Sequence, residues 1–146
     1  MEIRKPDEME QEQIISLSPQ AIADGTLGEV KPTNEKVRQL TEPLLKKGCY
    51  YLAAYENNEL LGWILAGPSK DQFTDQPIGF IYELFVREEF RGKGISKRLM
   101  SVAIDRLKET GYPEIRLSAF EGNPAIRLYE KMGFHARNVT MSLQIK

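Results

Sequence analysis

Read for alternation of apolar and polar positions, the chain becomes sharply patterned from Tyr50 onward. Tyr50 to Tyr55 and Leu60 to Ala66 are two apolar runs flanking Asn57-Asn58, a pair that tolerates the positive φ of a tight turn, so they predict a β-hairpin. Gly67 to Pro77 reads as a loop. Ile78 to Val86 is apolar on both faces, which predicts a central strand. From Gly94 to Thr110 the positions Ile95, Leu99, Ala103 and Leu107 recur at helical spacing opposite Lys97, Arg98, Asp105 and Lys108, and Gly111 and Pro113 end that helix. Ile115, Leu117 and Ala119 alternate as a strand. Asn123-Pro124 then sets a capping side chain before a helix bearing Ala125, Leu128, Tyr129 and Met132 on one face. A last strand is predicted from Phe134 to Gln144. The first 48 residues are less sharply patterned: a short strand at Glu2 to Lys5, then polar helical segments interrupted by Pro19, Gly25, Gly28 and Pro32. With no repeat or linker, this order predicts one α/β domain over residues 1–146 with a mixed sheet.

Composition narrows the partners. The 146 residues, 41% of them hydrophobic, suffice for one core, and a net charge of -1 gives no global attraction to nucleic acid or to an anionic membrane. The opening MEIRKPDEMEQEQ lacks the basic start and apolar core of a signal peptide, and no apolar run approaches the ~20 residues that span a bilayer, so a cytoplasmic protein is expected. A single cysteine, Cys49, and a single histidine, His135, leave too few ligands for a zinc site, and no metal is expected.

The chemistry concentrates in VREEFRGKGISKRL, Val86 to Leu99, where a buried strand ends in a glycine-rich turn and an amphipathic helix begins at once. The first turn of a helix carries N–H donors with no internal partner and the positive end of its dipole, which suits a phosphate. Between Arg87 and Lys108 seven basic residues face three acidic ones, whereas residues 1–30 hold two basic and seven acidic. The dinucleotide fingerprint fails because Lys97 stands where its third glycine belongs, and the P-loop fails because Gly94 follows Lys93 where Ser or Thr is required. A basic loop capping an ordinary helix remains the other reading of this segment taken alone.

Arg91-Gly-Lys-Gly94-Ile-Ser96, followed about thirty residues on by Asn123-Pro-Ala-Ile-Arg-Leu-Tyr129-Glu-Lys-Met-Gly133-Phe134, resembles the GNAT superfamily of N-acetyltransferases. Ser96, where the family has Gly or Ala, is a small departure. The resemblance implies a mostly antiparallel mixed sheet with helices on both faces, and acetyl transfer from acetyl-CoA to a primary amine of a small molecule or a peptide by direct attack. It further implies that Leu84, Phe85 and Val86 pair with the pantetheine arm and supply an oxyanion donor, and that amides of Arg91, Gly92, Lys93, Gly94, Ile95 and Ser96 hold the pyrophosphate. Asn123 would reach the pantetheine or the reacting region, and Tyr129 would protonate the departing thiolate. A homodimer is left open by the resemblance, with the last strand as the element available to form it.

Glu83 is the one carboxylate between Ile78 and Val86, and burial among apolar neighbours would raise its pKa toward that of a general base; a carboxylate that merely holds backbone or water fits its position equally. Tyr129, taken alone, is a core aromatic on an amphipathic helix. His135 reads as a strand side chain, Cys49 as a small buried hydrophobe, and Trp63, Tyr50, Tyr51 and Tyr55 as hairpin packing, with one of them available to line an acceptor cleft. Acidic residues in 1–30, with Asp71 and Asp75, suggest a cationic amine. A non-catalytic acyl-CoA-binding sensor is the competing class: it would keep the glycine turn and need neither Tyr129 nor a base.

Overall fold

The computed structural model describes residues 1–146, in the order β1 (Glu2–Arg4), α1 (Glu8–Gly25), α2 (Asn34–Lys46), β2 (Tyr50–Glu56), β3 (Glu59–Lys70), β4 (Pro77–Val86), α3 (Ile95–Thr110), β5 (Ile115–Leu117) and α4 (Ala125–Lys131). The five strands form one sheet in the order of the chain, antiparallel from β1 to β4 and parallel between β4 and β5. Asn57 and Asn58 adopt positive φ, 52° and 64°, and close the predicted hairpin.

Alternation along the strands divides the core in two. Leu52, Ala54, Ile64, Ala66, Ile81 and Val86 pack beneath Leu99, Met100, Ala103 and Leu107 of α3. Tyr51, Ala53, Tyr55, Trp63 and Leu65 turn the other way and pack with Ile14 and Ala21 of α1. Both faces of the sheet are thus covered by helices, as the apolar run of β4 requires.

Pro19 does not interrupt the chain. It lies inside an 18-residue helix that Asp7 and Glu10 open with a reciprocal capping box. A proline in a helix interior leaves the carbonyl four residues earlier without its donor. Here that carbonyl belongs to Ile15, and the side-chain amide of Asn34, the first residue of α2, donates to it at 3.0 Å. One contact replaces the hydrogen bond that the proline removes and ties α2 to α1.

The structure corrects three predicted boundaries. The loop expected from Gly67 shrinks to residues 71–76, because Gly67, Pro68, Ser69 and Lys70 pair with Phe80, Gly79, Ile78 and Pro77. Pro68 is accommodated because β2 begins pairing only at Ala66, so the side of β3 that lacks its N–H is an edge. Ala119 lies outside β5, which stops at Leu117. The strand expected over Phe134 to Gln144 does not form: residues 134–146 belong to no helix or strand, and no backbone hydrogen bond joins residues 135–146 to the sheet.

Gly62 shows how tightly β3 meets the end of β4. A Cβ there would lie 2.4 Å from Phe85 O and 3.0 Å from Val86 Cα, both backbone atoms that cannot step aside. Gly62→Ala is expected to lower stability by about 1–3 kcal/mol through forced separation of the strands, read as a lower urea midpoint with unchanged slope.

Candidate active site

Two irregularities of β4 build the site. The first is a bulge: Leu65 pairs with Glu83 while the next residue, Ala66, pairs with Ile81, so β4 carries one residue more than β3 at this point. Ile81 packs on the α3 side and Tyr82 on the α1 side; strict alternation would return Glu83 to the α3 side. The extra residue turns Glu83 toward α1 instead, where Trp63 Nε1 donates to its Oε1. Ser18, fully buried on α1, lies on the same side, its hydroxyl donating to Ile14 O at 2.8 Å. Burial pushes the Glu83 carboxyl up to about 7, against the smaller opposing effect of the Trp63 hydrogen bond. A group so placed exchanges a proton near neutral pH.

The second irregularity is the early end of β5. The parallel ladder holds only Gly79 to Ile81 against Ile115 to Leu117. Beyond it β4 has β3 on one side and no strand on the other. Arg87 N–H donates to Leu61 O at 2.9 Å, so by the two-residue period the polar backbone groups of Phe85 face β3 while those of Leu84 and Val86 face the gap. Val86 O is already occupied, accepting from Arg91 Nε at 2.8 Å. The Leu84 and Val86 amides are the donors this edge offers.

At the end of that edge a 3₁₀ turn over Glu88–Phe90 leads into the glycine turn. Gly92 and Gly94 have φ of 81° and 78°, and an added Cβ at either would meet nothing within 4 Å. The first backbone bond of α3 runs from Arg98 N–H to Gly94 O, so the amides of Gly92 to Lys97 make no bond to the chain. No acidic residue sits in the first turn, and Ile95, buried among Leu99 and its neighbours, anchors the helix end in the core. Lys93 is exposed with its Nζ 5.8 Å from the centre of the Phe90 ring, and Ser96 is half-buried. This is a cradle of free donors. Arg91 serves it by holding its root: besides Val86 O it binds Asp24 at 2.9 Å and lies 5.4 Å over the Phe85 ring.

Asn123 is spoken for on both sides of its amide. Its oxygen accepts from Ala125 N–H at 2.9 Å, capping α4, and its nitrogen donates to Gly25 O at 3.2 Å, at the end of α1. The side chain therefore ties α4 to α1 across the gap.

Tyr129 packs at the margin of the α3-side core, edge-on to Phe134 with ring centres 6.2 Å apart. Burial raises its phenol above the ordinary value, which keeps it protonated at neutral pH. Glu83 and Tyr129 thus stand on opposite faces of the sheet, with the free edge of β4 in the gap between α1 and α4. Cys49 is buried against Pro68 with its thiol raised by burial, and His135 is exposed outside any element.

The partners Asp24 and Gly25 were not legible as partners of Arg91 and Asn123. Each meets its partner across twenty or more residues of chain, and no local spacing signals such a contact.

A family model for the acetyltransferase (GNAT) family matches residues 19–134. Among curated proteins, the chain is 29% identical over 137 residues to the uncharacterized N-acetyltransferase YdgE of Bacillus subtilis (strain 168), covering 89% of this chain and 85% of that protein. It is 33% identical over 95 residues to the spermine/spermidine N(1)-acetyltransferase of the same organism, covering 60% of this chain and 62% of the relative. Among solved structures, a putative acetyl transferase from Pyrococcus furiosus superposes with a TM-score of 0.77 at 26% identity, over 99% of this chain and 100% of the other. The aminoglycoside N-acetyltransferase AAC(6')-Iy in complex with CoA shares the fold with a TM-score of 0.76 at 17% identity, over 99% and 94%.

Proposed function

Because the chain belongs to the acetyltransferase (GNAT) family, we propose that it moves the acetyl group of acetyl-CoA directly onto a primary amine, with Glu83 as general base and Tyr129 as general acid. The observation that carries this reading is the open edge of β4, which runs from the bulge at Glu83 to a cradle of unbonded amides at Gly92 to Lys97. A pyrophosphate on that cradle receives N–H bonds and the positive end of the α3 dipole. The pantetheine arm, a chain of amides, then has the Leu84 and Val86 backbone to pair with. The amide left nearest the thioester oxygen stabilises the charge that develops there.

The two faces divide the proton work. An amine with a lysine-like pKa of about 10.4 is neutral in only about one molecule in 2,500 at pH 7, a handicap of about 4.6 kcal/mol. Glu83, on the α1 side, takes a proton from the ammonium, directly or through water. The amine nitrogen attacks the thioester carbon, and the C–S bond breaks as Tyr129, on the α4 side, gives its phenolic proton to the thiolate. The extra proton on the nitrogen, positively charged since the attack, leaves through water and restores the phenol. A carboxyl with a pKa of about 7 works as a base only above that pH. The turnover rate is therefore expected to rise through about pH 7, and Glu83→Gln to abolish that rise while lowering the rate above it by about 100-fold or more. A pH–rate profile of the variant that keeps the step would assign the base to water.

For the acceptor, cationic amines are the first class to test. A hollow on the α1 side of the β4 end is lined by Asp24, Glu88 and Glu89, but also by Arg87 and Arg91. Asp24 is paired with Arg91 and Glu89 with Arg87, so the attraction for a cation is mild. One Bacillus subtilis relative is named for spermine and spermidine, which points to the same class. A panel of polyamines, aminoglycosides, peptide amines and neutral amines, scored by release of coenzyme A thiol, tests the proposal; neutral amines outperforming every cation would overturn the cationic preference.

A further inference from the structure

Given Glu83 as the base, the reading on which this rests, we propose that Trp63 is its positioning residue. The indole N–H holds one oxygen of the ionised carboxylate and leaves the other to take the proton of the acceptor ammonium. A glutamate side chain turns about several bonds, and a base that swings among their rotamers spends little time within reach of a substrate proton. Glu83 is half-buried, and the donor that the structure gives it is Trp63 Nε1, on Oε1. The nearby Ser18 hydroxyl is turned to its own helix, donating to Ile14 O at 2.8 Å.

The indole is itself held in place. Trp63 is fully buried, paired to Ala53 on β2 and to Phe85 on β4, with its ring 4.9 Å from that of Phe85 at a tilt of 44°. An indole has a single donor, and burying it without an acceptor is unfavourable, so the ring and the carboxylate satisfy each other. They meet because of the bulge. Leu65 lies opposite Glu83 and Trp63 opposite Phe85, which makes Glu83 the diagonal neighbour of Trp63 once the extra residue has put both on the α1 side. The irregularity that turns the base toward α1 also delivers it to its donor.

The groups packed around this pair leave the bond free to act on the charge of Glu83. The buried face of α1 carries no ionisable side chain, and α2 brings Leu44 and Leu45. On β2, Tyr51 faces the carboxylate as a phenol raised by burial first and by the Glu83 charge second, so it stays neutral wherever Glu83 titrates. On β4, Tyr82 is likewise raised by burial and donates to Pro68 O at 3.1 Å. The ions of the hollow at the strand end are paired among themselves, Asp24 with Arg91 and Glu89 with Arg87. A hydrogen bond donated to a carboxylate favours its charged form, so loss of the indole N–H raises the pH at which Glu83 ionises. A bond to a charged group makes that shift about one to two pH units.

Trp63 is the single tryptophan of the chain, which makes it both the probe and the one position that tryptophan replacement alters. Full-length protein made with β-(3-benzothienyl)alanine in place of tryptophan carries sulfur where the N–H was, in a ring of nearly the same shape, and circular dichroism and melting temperature check its fold. Trp63→Phe removes the same donor by ordinary mutagenesis. Wild-type tryptophan fluorescence is expected to titrate with a midpoint near pH 7, a step that Glu83→Gln abolishes. In the benzothienyl protein and in Trp63→Phe the step of the pH–rate profile is expected to move up by about one to two units, lowering turnover at pH 7 by about 5–50-fold, with the affinity for acetyl-CoA changed by less than about 3-fold. A kinetic step lost in Glu83→Gln but unmoved, or moved down, in the benzothienyl protein would overturn the role of Trp63 and leave the base in place. A kinetic step that survives Glu83→Gln would overturn the base itself, and Trp63 as its positioning residue with it. Fluorescence that does not titrate, or whose titration survives Glu83→Gln, would show that the carboxylate does not sit on the indole and would overturn the proposal on contact alone.

Discussion

With aspartate at both Gly92 and Gly94, the protein is expected to bind acetyl-CoA and coenzyme A at least about 100-fold more weakly than wild type in calorimetric titration, a loss of about 2.7 kcal/mol or more. The two glycines differ from those elsewhere in the fold in what a side chain would meet. At Gly62 a Cβ collides with backbone, whereas at Gly92 and Gly94 it projects into open space. The space it enters is the one in front of the unbonded amides of Gly92 to Lys97. A carboxylate there accepts those donors itself and repels a pyrophosphate. Positive φ adds a separate cost of about 1–2 kcal/mol per position to the folded protein. Gly94→Ala separates the two effects: it carries the backbone strain without the charge, and is expected to lower the melting temperature while costing far less affinity than the double aspartate variant. Wild-type protein that fails to bind either ligand would remove the pyrophosphate role of the turn.

The sequence displays the scaffold of this turn and hides what holds it. The strand ending at Val86, the helix over Ile95–Thr110 and the free donors between them follow from local periodicity and two glycines. Asn57-Asn58 likewise announce their hairpin because positive φ is a local demand. Arg91 shows the limit. Its side chain joins Val86 O, the Phe85 ring and Asp24 on α1, and the last of these is 67 residues away. The orientation of Glu83 is hidden for a different reason. Alternation places it on the α3 side, and only the register of β3 against β4, a property of two strands together, reveals the extra residue that turns it toward Trp63. Pro19 misled for a third reason: helix propensity counts the missing hydrogen bond, and the amide of Asn34 that replaces it comes from the next helix.

Tyr129→Phe is expected to lower the turnover number by about 10²–10⁴-fold while changing the affinity for acetyl-CoA by less than about 3-fold. The substitution removes one oxygen from a ring that is otherwise packed by its carbon edge, against Phe134 and the margin of the α3-side core. Packing is conserved, so melting temperature serves as the control and is expected to stay within a few degrees. The hydroxyl enters none of the chain's hydrogen bonds and is not among its buried unpaired atoms, so it costs nothing to lose in the resting protein and is free to meet a departing sulfur. Phenol and thiol reference pKa values of about 10 and 8.5 put the reference balance of this proton transfer about 2 kcal/mol uphill. Burial pushes the phenol further up, which keeps the acid loaded at neutral pH and opposes its ionisation. The thiolate, expelled into the same enclosed gap, is destabilised by desolvation in the same sense, which restores part of the balance. Substituting an acyl donor whose leaving thiol has a much lower pKa should therefore shrink the penalty of Tyr129→Phe, because a good leaving group needs no proton. An equal penalty with both donors would show that Tyr129 acts by shaping the gap, and equal turnover of wild type and variant would remove it from the proton path.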